Sequence, residues 1–403
     1  MTDDVTLEHF HAARKLLDGV VRQTPVESSR WLSDVVGSQV WLKCENLQRT
    51  GSFKSRGAYV RIAGLNADER AAGVVAASAG NHAQGVALAA QMLGISATVF
   101  MPEGAPIPKE RATRGYGAEV VFSGTTVDEA LTAAKEHSAR TGAVLIHPFD
   151  HADIVAGQGT AGLELLEQVP DVRTVVVPTG GGGLIAGIAA AIKLQRPDVR
   201  VIGVQAEGAA AYPASLEAGH PIALPAMKTM ADGIAVGCPG EVPFAAISRY
   251  VDEVRTVSED AISRALLATL ERAKLVVEPA GAVGVAALLE EPGTFEGPVA
   301  VVLSGGNIDP LLLGKVIRHG MAAAGRYLVV TVTISDAPGS LARLLMEVGE
   351  TGANVVEVMH ARNNPALHLD QVEVILQLET RGEPHAAQVI GRLQERGYTT
   401  NPG

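Results

Sequence analysis

One lysine of the chain lies where covalent chemistry is possible. Lys54 is part of Arg49-Thr-Gly-Ser-Phe-Lys-Ser-Arg-Gly57, where a polar loop runs into a helical pattern. An amine attacks a carbonyl group only in its neutral form, and burial beside apolar side chains lowers a lysine pKa toward that state. Taken alone Lys54 is weak evidence, because a lysine at the start of a helix is usually solvated and Phe53 more often belongs to a core.

Four consecutive glycines, Gly180-Gly-Gly-Gly183, lie between a predicted strand and a predicted helix. Backbone without side chains approaches a ligand closely, and its N–H groups together with a helix N-terminus favour an anion such as phosphate. Two alternatives stay open. One is a tight turn without a ligand, and the other is a dinucleotide site, because residues 181–186 satisfy G-x-G-x-x-A and Glu207 follows the next strand. No Lys-Ser or Lys-Thr follows the glycines, which excludes a Walker phosphate loop.

Two more polar loops follow predicted strands. In Ser78-Ala-Gly-Asn-His82, backbone N–H groups and the Asn81 amide could bind a carboxylate or a phenolate oxygen. Ser78 or Asn81 could equally cap the helix that follows. By itself, Ser304-Gly-Gly-Asn307 indicates only a turn at the end of a strand.

Strands alternate with helices between residues 41 and 303, with helical patterns at 156–167 and 259–273 among them. This alternation predicts parallel sheets built from crossover units. In such sheets ligands bind beyond the carboxyl ends of the strands, which is where the loops 78–81, 179–183 and 304–307 are expected.

The pattern changes near residue 325. Beyond it, strand and helix patterns occupy 328–334, 340–351, 354–361, 368–378 and 384–396. Strand, helix, strand, strand, helix and a last short strand is the ferredoxin-like order. The sequence therefore predicts a separate small α+β domain over 326–403.

Composition limits the possible partners. The chain has 403 residues, 47% of them hydrophobic, and a net charge of −11. Nucleic acid and anionic membranes both require basic patches, so we expect neither as a partner. No apolar stretch could span a bilayer and no signal peptide is visible, so we expect a cytoplasmic protein with Cys44 and Cys238 reduced. His147 and His151 are four residues apart, but Pro148 argues against the helix that would align them on a metal.

Five motifs in this order resemble the threonine dehydratase (threonine ammonia-lyase) family of fold-type II pyridoxal-phosphate enzymes. They are Glu45-Asn-Leu-Gln-Arg-Thr-Gly-Ser-Phe-Lys54, Ser78-Ala-Gly-Asn-His82, Thr179-Gly-Gly-Gly-Gly183, Glu278-Pro-Ala-Gly281 and Ser304-Gly-Gly-Asn307. The resemblance runs collinearly from Leu7 to Ala323. It implies an α/β fold with two open parallel-sheet subdomains over 1–325, like the β subunit of tryptophan synthase, with the smaller subdomain at about 50–150 inserted in the larger one.

The resemblance also implies roles toward pyridoxal 5'-phosphate. Lys54 would hold the cofactor as a Schiff base, Asn81 would bond its ring hydroxyl, and Ser304 would bond its pyridine nitrogen. The other cofactor residues are Phe53 and a phosphate cradle made of Gly180, Gly181, Gly182, Gly183 and Leu184. The substrate carboxylate is expected at Ser78, Ala79, Gly80, Asn81 and His82.

These residue types lead to the expected reaction of a carbon–nitrogen lyase. Lys54, freed by an incoming amino acid, can remove the Cα proton while the cofactor delocalises the charge. Ser304 is a neutral partner of the ring nitrogen, which weakens the electron sink and favours loss of the β-hydroxyl. We expect L-threonine to give 2-oxobutanoate and ammonia, with L-serine as a slower substrate. Serine or hydroxyaspartate dehydration is the alternative.

Two positions separate this chain from similar serine racemases. Those enzymes carry a second serine where this chain has Ala79, which cannot exchange a proton, so we expect little racemase activity. They also bind a metal through a carboxylate near the end of the next strand. Gln205 corresponds to that position and Glu207 is nearby, so a cation site stays open.

The C-terminal part resembles an ACT regulatory domain, with Asp336-Ala-Pro-Gly-Ser-Leu341 at its first strand-to-helix turn. The resemblance implies an amino-acid effector site between paired subunits, formed by Gly339, Ser340, Leu341 and Asn354. We expect isoleucine or valine to modulate a homodimer or homotetramer. A domain that only mediates oligomerisation, and a non-catalytic amino-acid sensor, are the alternatives.

Overall fold

The computed structural model describes residues 5–361 and 367–402. The chain forms two compact units, residues 1–313 and 314–403, and each is described by itself. Among the described residues, no helix combines the length and the apolar character that a membrane span requires.

The first unit alternates strands and helices. Its strands are β1 (Val26–Ser28), β2 (Val40–Lys43), β3 (Val74–Ala77), β4 (Ala97–Met101), β5 (Glu119–Phe122), β6 (Val144–Leu145), β7 (Thr174–Pro178), β8 (Arg200–Ala206), β9 (Glu253–Val257) and β10 (Val299–Val302). Its helices are α1 (Leu7–Leu16), α2 (Arg30–Val36), α3 (Lys54–Ala63), α4 (Ala67–Ala72), α5 (Asn81–Leu93), α6 (Ile107–Gly115), α7 (Val127–Thr141), α8 (Ala152–Gln168), α9 (Gly183–Lys193), α10 (Ala211–Ala218), α11 (Glu241–Tyr250), α12 (Glu259–Ala268) and α13 (Pro279–Glu290). Helix α14 (Pro310–Ala323) begins in this unit and continues into the second.

Two sheets organise the first unit. Strands β1-β2-β10-β7-β8-β9 form a six-stranded sheet and β5-β4-β3-β6 form a four-stranded sheet. All neighbours are parallel except β1 and β2, which run antiparallel. The fold class predicted from the sequence, with two parallel-sheet subdomains, is therefore confirmed. The antiparallel strand β1 was not predicted, because three residues are too few to carry a periodic pattern.

Two helices differ from the sequence-based prediction by several residues. Helix α8 begins at Ala152 rather than at residue 156, because the His151 side chain accepts a hydrogen bond from the Asp153 N–H and caps the helix. The helix predicted over 259–273 is α-helical only to Ala268 and continues as a π-helical turn. Lys274 ends that turn at a φ of 60°.

Central strands and small-residue helices build the core of the first unit. Strand β7 is buried along its whole length and contains three consecutive valines. Burial of each valine side chain stabilises the fold by roughly 1.5–3 kcal/mol. Helices α8 and α9 cross closely at Gly159 and Gly187, where an added Cβ at Gly159 would lie 2.7 Å from the Gly187 carbonyl oxygen. This crossing fixes the direction of α9, whose N-terminus follows the glycine loop.

The second unit is a small α+β domain. It contains β11 (Tyr327–Ser335), α15 (Ser340–Glu350), β12 (Asn354–Ala361), β13 (Gln371–Glu379), α16 (Glu383–Glu395) and β14 (Thr399–Pro402). The antiparallel sheet has the order β12-β13-β11-β14, which is that of a ferredoxin-like domain.

Candidate active site

Three loops follow strands β3, β7 and β10 at their carboxyl ends, and the Lys54 segment contacts the third of these loops. Ser52 forms an isolated antiparallel bridge with Gly305. The Phe53 N–H donates to the Ser304 carbonyl oxygen at 3.2 Å. These backbone contacts bring together two motifs that are far apart in the sequence.

Lys54 is the first residue of α3. Its Nζ donates to the Pro148 carbonyl oxygen at 2.9 Å and lies 5.1 Å from the centre of the Phe53 ring. Burial lowers the pKa of Lys54 to about 8, against the opposing charge of Glu278. The amine is therefore partly neutral near physiological pH, as attack on a carbonyl group requires.

Asn81 is the first residue of α5 and lies between two polar side chains. Its Nδ2 donates to Glu278 Oε1 at 2.7 Å, and its Oδ1 accepts from Asn307 Nδ2 at 2.8 Å. Burial, with the Asp232 charge, raises the pKa of Glu278 to about 7, although Lys109, Asn81 and Lys54 oppose this shift. Asn81 follows β3 of the four-stranded sheet, whereas Glu278 precedes α13 and Asn307 follows β10 of the six-stranded sheet, so these bonds join loops of the two sheets.

The glycine loop is tightly packed. Gly180 lies against the Ile234 backbone, where an added Cβ would come within 2.8 Å of the Ile234 Cα. Gly182 has a φ of +98° and faces the Tyr212 hydroxyl, so a side chain there is excluded by both conformation and space. Leu184 lies in the first turn of α9, where N–H groups have no partner within the helix and favour an anion.

The segment from His147 to Asp150 was not predicted as part of the site. Its Pro148 carbonyl receives the Lys54 amine, and its Phe149 ring fills the space beside Gly181. The Asp150 carboxylate accepts from the Val242 N–H at 2.9 Å. The signal available in the sequence was a His-Pro pair that begins two residues after β6, at the same sheet edge as the Ser78 loop.

The loop predicted to receive the substrate carboxylate has two kinds of residue. Ser78, Ala79 and Gly80 are partly buried, and the Gly80 N–H donates to the Ser78 hydroxyl at 3.1 Å. The His82 side chain is buried and its Nε2 bonds the Ile146 carbonyl oxygen at 2.7 Å. Burial, with help from the Lys54 charge, lowers the pKa of His82 to about 3, so the imidazole is neutral.

The residues around Lys54 fit a polar, anionic cofactor. The hydroxyls of Thr50, Ser52 and Ser55 are buried and have no hydrogen-bond partner among the described atoms. Unpaired buried hydroxyls are costly, so their concentration beside a reactive lysine indicates a polar ligand. The glycine loop and the free N–H groups of α9 supply the complementary phosphate site.

A buried cluster of charges lies behind this site. Arg56 forms paired hydrogen bonds with Glu45 at 2.8 and 2.9 Å and with Glu164 at 2.7 and 2.9 Å. Lys43 Nζ also donates to Glu164, at 2.6 Å. Because Arg56 is two residues from Lys54, the cluster joins the start of α3 to β2 and α8.

Comparison with known proteins identifies the family. The family model described as "Pyridoxal-phosphate dependent enzyme" matches residues 17–305. The chain belongs to the pyridoxal-phosphate dependent enzymes. The cofactor predicted from the sequence is thereby confirmed.

Several members of this family are similar to the chain. It is 48% identical to an L-threonine ammonia-lyase of Thermotoga maritima, over 98% of both proteins. The structure of threonine deaminase isoform 2 from Solanum lycopersicum is 39% identical, with a TM-score of 0.74, covering 78% of this chain and 93% of that one. Maize serine racemase is 37% identical with a TM-score of 0.74, covering 77% of this chain and 96% of that one.

Gln205 and Glu207, at which the sequence leaves a cation site open, lie in different environments. Gln205 is fully buried, and its Oε1 accepts from the Tyr212 N–H at 2.9 Å. Glu207 is exposed. Within residues 5–361 and 367–402, no three His, Cys, Asp or Glu side chains are grouped as metal ligands would be.

Of the predicted effector residues of the second unit, Asn354 lies far from the consecutive residues Gly339, Ser340 and Leu341 within one chain. Gly339 has a φ of 82° and precedes α15, whose first residue, Ser340, accepts a hydrogen bond from Arg343 at 3.0 Å. Leu341 packs against the core of this unit. Asn354 pairs with Glu379, which is opposite the start of β11, whereas Gly339 follows the end of β11. The two positions are therefore separated by roughly the length of that strand, about 26 Å.

Proposed function

We propose that this enzyme converts L-threonine to 2-oxobutanoate and ammonia, with L-serine as a slower substrate. The observation that carries the proposal is the buried Lys54 amine with its lowered pKa, beside unpaired hydroxyls and a glycine loop. The activity named for the Thermotoga maritima relative supports the choice of substrate, because the two chains match over nearly their full lengths.

The residues present would hold pyridoxal phosphate at four points. Lys54 would bind its aldehyde carbon, Asn81 its ring oxygen and Ser304 its ring nitrogen, and Gly180, Gly181, Gly182, Gly183 and Leu184 would hold its phosphate. When bound, the cofactor supplies an electron sink for charge that develops at the substrate Cα.

Lys54 is the proposed base. Its Nζ is fixed by the Pro148 carbonyl and, being partly neutral, can accept the Cα proton from the face of the substrate on which it lies. The N–H groups of the loop from Ser78 to Asn81 would orient the substrate carboxylate. His82 contributes its backbone only, since its imidazole bonds Ile146.

Ala79 is proposed to restrict the reaction to elimination. A methyl group can neither donate nor accept a proton, so nothing at this position can return a proton to the second face of the Cα. Pure protein should form little D-serine or D-threonine. Substantial formation of either D-amino acid would contradict this assignment, and the likeness to maize serine racemase makes the measurement necessary.

One assay tests the activity directly. Purified protein is incubated with L-threonine, L-serine and hydroxyaspartate, and the 2-oxo acid formed is measured. We expect the highest rate with L-threonine. Lys54→Ala should abolish both the visible absorption of the bound cofactor and the turnover. Lys193→Ala, which removes a partly buried lysine paired with Asp252, should preserve both. Yellow colour and activity in Lys54→Ala would overturn the proposal.

We further propose that the second unit is an ACT-like regulatory domain over 326–403, which responds to isoleucine or valine. Its ferredoxin-like strand order supports this. Because Gly339 and Asn354 lie at opposite ends of the sheet, one effector could contact both only when two chains pair, so we propose a homodimer or homotetramer. The test is deletion after Gly325: unchanged rates with either amino acid, with and without the domain, would refute regulation.

A further inference from the structure

The side-chain amide of Asn81 is held between neighbours of opposite hydrogen-bonding character. On one side Glu278 Oε1 accepts from Nδ2 at 2.7 Å, and an ionised carboxylate can only accept. On the other side Asn307 Nδ2 donates to Oδ1 at 2.8 Å. A rotated amide would set two donors against each other at Asn307, and at Glu278 it would set two acceptors against each other.

The orientation of Asn307 is itself fixed by the backbone. Its Nδ2 also donates to the Thr50 carbonyl oxygen, at 2.5 Å, and a carbonyl cannot donate in return. Thr50 has a φ of 61°, an unusual conformation for a residue with a side chain. The Thr50 carbonyl therefore fixes the Asn307 amide so that its Nδ2 also donates to Asn81. The Asn81 orientation that results is the one that Glu278 requires.

We propose that Glu278 and Asn307 are positioning residues that fix the Asn81 amide so that its second N–H faces the ring oxygen of the cofactor. This inference rests on the proposed function, because it takes Asn81 as the partner of that oxygen. A deprotonated ring oxygen needs a donor, whereas an inverted amide would present an oxygen to it. Neither Glu278 nor Asn307 needs to touch the substrate in this role.

The carboxyl group of Glu278 should make this control depend on pH. Its pKa is raised to about 7, and the charged groups that act on it are Asp232, Lys109 and Lys54. Above the midpoint the carboxylate accepts strongly from Asn81, and below it the neutral acid accepts weakly. Removing the Asp232 charge should lower the midpoint, and removing the Lys109 charge should raise it.

The test uses the absorption of the cofactor-loaded, full-length protein at saturating cofactor. The ratio of its two bands reports whether the shared proton lies on the Lys54 nitrogen or on the ring oxygen. Glu278→Met and Asn307→Leu should each shift this ratio about tenfold toward the oxygen-protonated form, as the loss of one charge-assisted hydrogen bond implies. Asn46→Leu is the control, because Asn46 is a buried amide that bonds Val276 and not Asn81.

A purely structural role would change how much cofactor binds without changing the band ratio or its pH midpoint. Glu278→Gln should keep the ratio near that of the unmodified protein but lose the titration near pH 7, the pKa to which Glu278 is raised. Should the larger changes prevent folding, Asp232→Asn and Lys109→Met still test the idea through midpoint shifts of opposite sign. Unchanged ratios, or midpoints that do not move, would overturn the inference. No visible band in the unmodified protein would instead overturn the proposed function.

Discussion

Replacing Arg56 by methionine should destabilise the first unit severely. The guanidinium is fully buried, and it makes two hydrogen bonds to Glu45 and two to Glu164. Its removal leaves two buried carboxylates with one neighbouring cation, Lys43, so one negative charge is uncompensated. Breaking a buried pair by removing one partner typically costs about 3–5 kcal/mol, and we expect a loss in this range.

The matched control is Arg14→Met. Arg14 also pairs in a forked manner with a glutamate of α8, Glu167, but the two side chains are 43% and 50% exposed. Exposed pairs contribute about 0–1 kcal/mol because water and salt screen them. The two variants therefore lose the same kind of contact to the same helix in opposite environments.

Denaturant unfolding followed by tryptophan fluorescence measures both losses. The only tryptophans of the chain, Trp31 and Trp41, lie in the first unit, so the signal reports that unit. A cost for Arg56→Met within about 1 kcal/mol of the cost for Arg14→Met would refute the reasoning.

The loss should also depend on pH with a defined sign. Although burial raises the pKa of Glu45, the Arg56 charge and hydrogen bonds outweigh it, and the net pKa is lowered. Its ionised form thus stabilises the native protein above its unfolded pKa, and this stabilisation is lost as the pH falls through the folded value. In Arg56→Met, the upward effect of burial on the pKa of Glu45 is opposed only weakly. Protonation of Glu45 then removes an unfavourable buried charge from the native protein. The difference in free energy of unfolding between the unmodified protein and Arg56→Met should therefore narrow as the pH falls from neutrality toward the ordinary pKa of a glutamate, about 4.3.

Three further predictions concern single groups. Gly182→Ala should weaken cofactor binding in a titration by at least tenfold, because Gly182 has a φ of +98° and the space for a side chain is filled. Gly219→Ala is the control, because Gly219 has a φ of +77° but lies in open space, and it should not weaken binding. Equal affinities of the two variants would contradict the cradle. The rate of visible-band formation with pyridoxal phosphate should rise with pH through a midpoint near 8, the pKa of Lys54 as lowered by burial; a flat profile would contradict the partly neutral amine. A thiol reagent should modify only the exposed Cys238 in the native chain. Cys44 should react only after unfolding, because it is buried and burial raises its pKa to about 12.

The succession of elements could be predicted from the sequence because it is written in local patterns. Alternating apolar strands and helical repeats indicated the parallel sheets, and the change near residue 325 indicated the second fold. Elements without such a pattern were missed, such as β1 with its three residues and the π-helical turn at Thr269–Ala273. Their conformation depends on neighbours that are distant in sequence.

The motifs themselves were also visible in the sequence, with their order and their likeness to one enzyme family. A lysine, four glycines and two polar strand-end loops are residue types, and types can be matched along a chain. Their roles as individual contacts were not visible in this way. His82, for example, is expected at the substrate carboxylate, and only the structure shows that its imidazole bonds the Ile146 carbonyl oxygen.

Only the tertiary structure decided which groups meet and how strongly they are perturbed. Lys54 reaches Pro148 across 94 residues, Asn81 reaches Glu278 across 197, and Asn307 reaches Thr50 across 257. A pKa depends on burial and on nearby charges in space, which no local pattern encodes. The sequence by itself therefore determined the family and its cofactor, whereas folding determined that the lysine amine is partly neutral and that one amide faces a single way.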